Sequence, residues 1–523
     1  MSTPDVTVVV AVYNTMPYLT ECLHSLSHQT IGMDRMEIIA VDDGSTDTSG
    51  AELDRWAKKH PRTVKVLHQA NSGGPAAPSN RALEIATGRY VFFLGSDDHL
   101  GTEALERLVR TADELDADIV LGRLVGAGGR VVNQAVYNPG NRDDINLVNS
   151  SLPWALSNTK LFRRSMLEEH GIRYPEELKS GSDQPFTIKA VMVARRIAVR
   201  ADYDFYHAVR RTDSSNITYR TSLYGFVQDA AIIMDTAADL ITDPVARAKV
   251  LRRHFSWELC KLLGPRFLKA DRDEQRRVQE GIRKLAETYL TDEMRAGLDV
   301  QRRVPLSIAQ FGSVDDLIAV SRHYQQNGLS PVIRDGERYY IGYPGFRDPA
   351  RSFPDEWFDG TAHVQTLLHQ TAPAQVRWGR TEDRRRALVV GWPSSLPNLD
   401  GGDDPAPRVF VGDRAATRTD SRNNGQGGTG VLAEIALDDL VAGQQRKRKP
   451  RVKFTWTTLG EGYSHPVTAL DLTAAGRILH RRGLRFYLVG TYVDGEHRLG
   501  VVINPVTPRR VAGRLARALR LKR

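Results

Sequence analysis

Cysteine is nearly missing from this chain: Cys22 and Cys260 are the only two in 523 residues. A secreted-type disulfide framework is thereby excluded, and the count suits a reducing compartment. Cys22 shares helical spacing with Leu19, Leu23 and Leu26, which reads as core packing and not as a nucleophile. Long apolar runs are missing too. None approaches the roughly 18 to 20 residues of a membrane-spanning helix, so a soluble or peripheral protein is expected. The chain passes from Met1 through a short polar lead straight into Val6-Thr7-Val8-Val9-Val10, and no signal peptide is expected. Nor does a Gly-x-Gly-x-x-Gly follow that first apolar run, which disfavours a dinucleotide-binding dehydrogenase.

What is present fits a multidomain globular protein. At roughly 100 to 200 residues per domain the length predicts two to four domains. A hydrophobic content of 41% against 26% charged residues excludes global disorder and a fibrous fold. The net charge of +9 favours a polyanionic partner, and charge alone does not choose among nucleic acid, anionic lipid and an anionic polymer.

Carboxylates recur at the ends of apolar runs. Tyr90-Val91-Phe92-Phe93-Leu94 has the composition of a buried parallel strand and ends in Gly95-Ser96-Asp97-Asp98. Ligands collect at the carboxyl ends of such strands, and two carboxylates there suit a hard divalent cation bridging protein and phosphate. Asp98 would alternatively cap a helix beginning near Thr102. Met36-Glu37-Ile38-Ile39-Ala40-Val41 is a second buried strand, ending in Asp42-Asp43-Gly44-Ser45-Thr46-Asp47. There Asp42 and Asp43 are placed to bind a base or ribose, and Asp47 to cap the next helix. Val64-Lys65-Val66-Leu67 leads to Asn71-Ser72-Gly73-Gly74-Pro75, whose glycines admit close backbone approach to a ligand. Strands and helices alternate with short connections, the pattern of a doubly wound α/β domain.

The order of these pieces, Val-Tyr-Asn, Val-Asp-Asp-Gly-Ser-Thr-Asp, Asn-Ser-Gly-Gly and Gly-Ser-Asp-Asp, resembles family 2 glycosyltransferases of the GT-A fold over roughly residues 5 to 220. The resemblance implies that Tyr13 packs on the uracil of a UDP-sugar and that Asp43 or Asp42 binds the base. Asn71 would lie near the nucleotide, and Asp97 and Asp98 would serve ribose and metal. Two departures stand out. Gly95 replaces the first aspartate of the family's Asp-x-Asp-Asp, and Pro78-Ser79-Asn80 replaces Ala-Arg-Asn, leaving Arg81 as a displaced substitute. Ala11 stands where the family often has proline. Gly181-Ser182-Asp183-Gln184-Pro185-Phe186 is similar to the family's Glu-Asp-x-x-Phe element, and the resemblance implies that Asp183 is the general base, with Ser182 in place of glutamate. Asp183 would otherwise cap the helix through Phe186 and Ile188.

Asp118 to Arg123 reads as a strand ending in a cation; Arg123 would face the donor sugar or diphosphate, or be an ordinary exposed arginine. Tyr203-Asp204-Phe205-Tyr206-His207 resembles the end of the family's core. Arg210 or Arg211 would offset diphosphate charge, and His207 would complete a metal shell or serve as a structural hydrogen-bonding residue.

Residues from about Tyr224 to Leu298 carry helical periodicity, Asp335-Gly336 marks a hairpin, and from about Pro354 short β runs alternate with polar loops, among them a long loop from Asp413 to Gly430. The expected fold is α/β: a GT-A domain over 1–223, a helical region and hairpin packed on it over 224–350, a sandwich-like β domain over 351–508, and a basic amphipathic tail over 509–523. Such an appendage resembles the glycan-binding or oligomerising β domains of bacterial wall teichoic acid glycosyltransferases, some of them trimers. Arg446-Lys447-Arg448-Lys449 and the tail would hold a polyanion or anionic lipid, or form a solvated basic face.

The resemblance implies a metal-dependent (Mn2+ or Mg2+) inverting transferase. It would move a hexosyl or N-acetylhexosaminyl group from a UDP-sugar to a hydroxyl of an anionic cell-envelope polymer or glycan. It would work as a homo-oligomer in the cytoplasm or peripherally at the inner face of the cell membrane, without nucleic acid. A nucleotidyltransferase and a non-catalytic glycan-binding protein with a decayed transferase domain are the alternatives.

Overall fold

The structure, a computed structural model, describes residues 3–211, 221–327, 330, 332–363, 373–394, 407–423, 429–458 and 461–506. Those residues form two compact units, one of 1–297 with 309–314 and one of 298–308 with 315–523. The basic tail over 509–523 lies outside the described residues.

In the first unit the valine-rich β1 (Val6–Val12) is central because almost every residue in it is buried. It pairs in parallel with β2 (Met36–Asp42) on one side and β4 (Tyr90–Phe93) on the other. With β3 (Val64–His68), the short β5 (His99–Leu100), β6 (Ile119–Ala127), β7 (Leu161–Arg163) and β8 (Ile197–Val209), the sheet order is β3-β2-β1-β4-β7-β6-β8-β5. The sheet is mixed: β7 runs antiparallel to both β4 and β6, and β5 antiparallel to β8. Helix α1 (Tyr18–Ser27) buries Leu19, Cys22, Leu23 and Leu26, so Cys22 is a core residue as its spacing predicts. Helices α2 (Ser49–Lys59), α3 (Ala76–Ile85) and α4 (Ala104–Leu115) complete the alternation; α4 buries Leu105, Leu108 and Val109, while α3 buries Ser79 and Asn80 beside Ala82 and Leu83. Then come α5 (Arg164–Glu169) and α6 (Asp183–Val193), the helix that carries the expected base.

The helical region begins with Leu223–Leu240, Pro244–Arg253 and Arg272–Tyr289. Ser222, Asp243 and Asp271 cap them by accepting from Gly225, Ala246 and Glu274 amides. The helix ending at Arg253 continues as a π-helical turn, His254–Leu259. Among the described residues no helix is long and apolar enough to cross a membrane.

The second unit is built mainly from antiparallel strands. Val332–Asp335 pairs with Arg338–Ile341 around Gly336 at φ +57°, the turn that Asp-Gly predicts. Two four-stranded sheets and one of three strands follow. Trp392 from one four-stranded sheet meets Phe454 from the other edge-on, with ring centroids 5.4 Å apart, as sandwiched sheets do. The loop expected from Asp413 to Gly430 is corrected: Arg414–Ala415 and Arg418–Asn423 are strands. Among the described residues Arg418–Asn423 lies at a sheet edge, paired with Thr429–Ala436, so it needs no continuous apolar face, and its polar composition hides it.

Candidate active site

Three neighbouring parallel strands deliver the site, since β2, β1 and β4 end side by side, with Val12 opposite Asp42 and Val9 opposite Phe93. Everything beyond those tips comes from loops, which the sheet positions rigidly.

After β2 the two aspartates diverge. Asp42 accepts from the Ser45 amide (3.0 Å) and from the His68 ring (2.9 Å). Burial would raise its carboxyl, but these bonds hold it below the usual range. Asp42 therefore anchors the loop from behind. Asp43 instead accepts from Gln69 Nε2 (2.6 Å), the Ser72 amide (3.1 Å) and Ser72 Oγ (2.9 Å). Asn71 donates to the Asp43 carbonyl (3.0 Å), and Arg81 reaches the same cluster through His68 O (3.0 Å) and Gln69 Oε1 (3.3 Å). Asp43, Asn71 and Arg81 thus share one network, joined by Gln69 and Ser72, to which the sequence pattern assigns no role.

Tyr13, at the tip of β1, is 36% exposed. Ala11 sits one residue before the strand's end, half-buried and paired with Val41. Asn14, at φ +48°, accepts from the amides of Thr46 (2.7 Å) and Asp47 (3.2 Å), which ties the first loop to the second. Arg211 donates to the Asn14 carbonyl (3.0 Å) and stacks over Tyr18, so it belongs to this cluster, while Arg210 is exposed at the end of β8.

After β4, Asp98 is buried. It accepts from Tyr206 Oη (2.6 Å) and the Val209 amide (2.7 Å), with Arg130 Nη1 3.7 Å away. Helix capping by Asp98 is thereby excluded: its oxygens are engaged by β8, and α4 starts only at Ala104. Burial and then the charge of Asp97 push its carboxyl up to about 6. Tyr206 Oη also accepts from the Gly95 amide (3.1 Å). A Cβ at position 95 would stand 2.8 Å from Asp98 Oδ2 and 3.1 Å from Tyr206 Oη, so the Asp98 carboxylate and the tyrosine hydroxyl bonded to it occupy the space beside Gly95. Tyr206 is the residue before His207 on a strand, which places it on the opposite face, and that alternation is the one signal of its role.

The other expected ligands have different partners. His207 stacks on His99, ring centroids 4.7 Å apart, and burial followed by the neighbouring His99 lowers its basicity. Arg123 donates from Nε to Asp204 Oδ1 (2.8 Å), at a register shift between β6 and β8. Among the described residues no three His, Cys, Asp or Glu side chains are arranged as a metal cluster. The carboxylate pair itself suits a divalent cation, since a buried Asp98 repelled by Asp97 is charge that a cation relieves, and such ions are often held by two carboxylates with phosphate and water.

Asp183 is the first residue of α6, whose N-cap position belongs to Ser182. Phe93, at the end of β4, packs edge-on against Phe186 and Tyr174 at 5.3 Å each, which seats the start of α6 beside the carboxylate loop. Burial raises the Asp183 carboxyl above its ordinary range, opposed first by Lys160 and then by Arg253. Behind it Gln184 Oε1 accepts from Arg253 Nη1 (2.6 Å) and lies 3.0 Å from His254 Nε2.

A mixed sheet with carboxylates at the tips of β2 and β4, and a third carboxylate at a helix start beside them, defines a nucleotide-sugar transferase fold of the GT-A type. Residues 7–171 match the family model for glycosyl transferase family 2, and residues 224–321 match that of the glycosyl transferase TarS linker domain. In fold and domain order the chain is similar to family 2 glycosyltransferases of the wall teichoic acid kind. It is 38% identical over 278 residues to the poly(ribitol-phosphate) beta-glucosyltransferase of Bacillus spizizenii, covering 52% of this chain and 43% of that one. It is 35% identical over 254 residues to the poly(ribitol-phosphate) beta-N-acetylglucosaminyltransferase TarS of Staphylococcus aureus, covering 48% and 44%. The matches thus span less than half the length of these relatives. The crystal structure of S. aureus TarS 1-349 in complex with UDP-GlcNAc superposes with TM-score 0.56 at 29% identity, covering 65% of this chain and 97% of that one. The crystal structure of S. aureus TarS shares the fold over 97% of this chain and 86% of that one, with TM-score 0.62 and 23% identity.

Proposed function

We propose that this chain transfers a hexosyl or N-acetylhexosaminyl group from a UDP-sugar to a hydroxyl of a polyol-phosphate polymer, with inversion. The observation that supports the reading is the gathering of carboxylates at one edge of the sheet, with the Asp43 network after β2, the Asp97–Asp98 pair after β4 and Asp183 at the start of the neighbouring α6. Similarity to proteins named for poly(ribitol-phosphate) and to a structure holding UDP-GlcNAc supports the donor and acceptor classes.

In this reading Tyr13 stacks on the uracil and Asp43 accepts from the base, with Asn71 and Arg81 closing that side and Arg210 and Arg211 offsetting diphosphate charge. Asp97 and Asp98 would hold Mn2+ or Mg2+, which when bound neutralises the leaving diphosphate. Asp183 accepts the acceptor hydroxyl proton as the oxygen attacks the anomeric carbon from the face opposite UDP. Desolvation makes Asp183 a stronger base than an exposed aspartate, which favours proton removal near neutral pH. The β sheets of the second unit and the exposed run Arg446 to Lys449 would gather protomers and the anionic polymer, with membrane contact through the same cations.

Incubation with UDP-glucose or UDP-GlcNAc, Mn2+ and poly(ribitol phosphate) tests the reading. Acceptor-dependent UDP release is expected. Pyrophosphate release, or UDP-sugar binding without turnover, would overturn it. Light scattering at two protein concentrations tests the assembly.

A further inference from the structure

In the second unit the strands Ile478–Arg482 and Arg485–Val493 pair up to Arg482 opposite Arg485, so the hairpin turns through Gly483 and Leu484 alone. Gly483, at φ +58°, supplies the backbone that so tight a turn requires. The residue after such a glycine is commonly Asn, Asp or Ser, which water solvates. Here it is Leu484, 94% exposed. Two more large apolar side chains stand out on the same hairpin, Leu479 at 53% and Phe486 at 42%. Arg481 opposes Phe486, and Leu479 lies two positions from Arg481, so by alternation Leu479, Arg481 and Phe486 share one face of the sheet.

Cations gather at this tip. Arg477, Arg481, Arg482 and Arg485 are exposed, and from Leu472 to Val493 the sequence holds no Asp or Glu. Among the described residues none of the four pairs with a carboxylate, whereas Arg451 and Arg498 share Asp494 at 3.1 and 2.8 Å. Arg481 donates instead to the Gly483 carbonyl (2.9 Å) and sits 5.8 Å over the Phe486 ring. Asp438 meets the hairpin through the buried His480 (3.0 Å), on the face opposite Leu479 and Arg481.

We propose that this hairpin is a membrane contact, its tip and outer face seated in the interface of an anionic lipid bilayer. Apolar side chains enter the boundary between headgroups and acyl chains to a depth of about 5 to 10 Å, and Phe486 stands about 7 Å along the strand from Leu484. Arginine stems snorkel, which keeps each guanidinium among the lipid phosphates. A polyol-phosphate chain would satisfy the cations but leave the three apolar side chains in water. An isologous contact with a second copy would set arginine against arginine. The contact is distinct from the run Arg446 to Lys449 and does not depend on the donor or acceptor reading.

The test is flotation of the full chain with vesicles of phosphatidylglycerol and phosphatidylcholine in equal parts, against vesicles of phosphatidylcholine alone. Binding to the anionic vesicles only is expected. Leu484→Ser should weaken it by about tenfold or more, and Arg482→Gln combined with Arg485→Gln by about fivefold per arginine. In Leu484→Trp the emission gained over wild type should be quenched by brominated acyl chains in the anionic vesicles, a readout that holds even if other cations also bind the surface. Bound Leu484→Trp that is not quenched would overturn the proposal, as would vesicle binding untouched by Leu484→Ser. Dispersal of an oligomer by Leu484→Ser with vesicle binding intact would assign the tip to a second copy. Loss of poly(ribitol phosphate) binding in the arginine variant with vesicle binding intact would assign the cations to the polymer, and either result overturns the membrane contact.

Discussion

Restoring the family's residue at position 95 should damage this protein. Gly95 is not in the left-handed region, so a side chain there meets no backbone objection; the conflict is with the Asp98–Tyr206 contact. A Cβ placed 2.8 Å from Asp98 Oδ2 and 3.1 Å from Tyr206 Oη must displace one of them. Asp98 is fixed by the Val209 amide and Tyr206 by the Gly95 amide, so what breaks is the 2.6 Å bond between them. A hydrogen bond to a charged group contributes about 1.5 to 3 kcal/mol, which corresponds to about 10- to 150-fold in affinity. Gly95→Ala should therefore weaken Mn2+-dependent UDP binding by about that factor. Gly95→Asp should weaken it further, because a third carboxylate joins a pair in which Asp98 is already pushed up to about 6. Tyr206→Phe should match the alanine variant, since it removes the same bond. Isothermal titration with UDP and Mn2+, alongside urea melts to confirm folding, measures all three. Wild-type affinity in Gly95→Asp would refute the reasoning, because it would mean that the carboxylate loop rearranges at no cost.

Asp183→Asn should leave UDP binding intact and lower turnover by roughly 100- to 10,000-fold, read from UDP release with poly(ribitol phosphate). Chelation with EDTA should abolish UDP release and weaken UDP binding, and Mn2+ should restore both; undiminished release would remove the carboxylate pair from metal binding. The His68 imidazolium is stabilised first by Asp42 and then by Asp54, which raises its pKa, so its contribution to stability is complete below about pH 6.5 and lost as pH rises through the raised value. The difference in melting temperature between wild type and His68→Ala should accordingly shrink as the pH rises from about 6 to about 9. Thr7→Val should cost about 1 to 3 kcal/mol in urea unfolding, because the Thr7 hydroxyl donates to Glu37 (2.6 Å) and accepts from the Gly88 amide (2.9 Å) in a buried site.

Much of the first unit is legible in one dimension because its information is local. Continuous apolar runs can only be buried strands, Asp-Asp at their ends can only be exposed to a ligand edge or tied to a loop, and Asp335-Gly336 names its turn. The order of motifs carries the GT-A fold, and the spacing of Leu19, Cys22 and Leu23 carries the core role of the cysteine. What the sequence cannot express is which of two adjacent aspartates faces the site and which braces it. That depends on His68 reaching Asp42 and Gln69 reaching Asp43 from a third strand, contacts that exist only once β2 and β3 pair. The same holds for Asp98, whose partner Tyr206 lies 108 positions away. Edge strands such as Arg418–Asn423 escape for the opposite reason, since an edge position among the described residues and a solvated face leave no apolar pattern to read. Local chemistry thus determined the elements and the kinds of groups at their ends. Tertiary pairing decided which of those groups are held still by a distant partner and which are left at the strand tips.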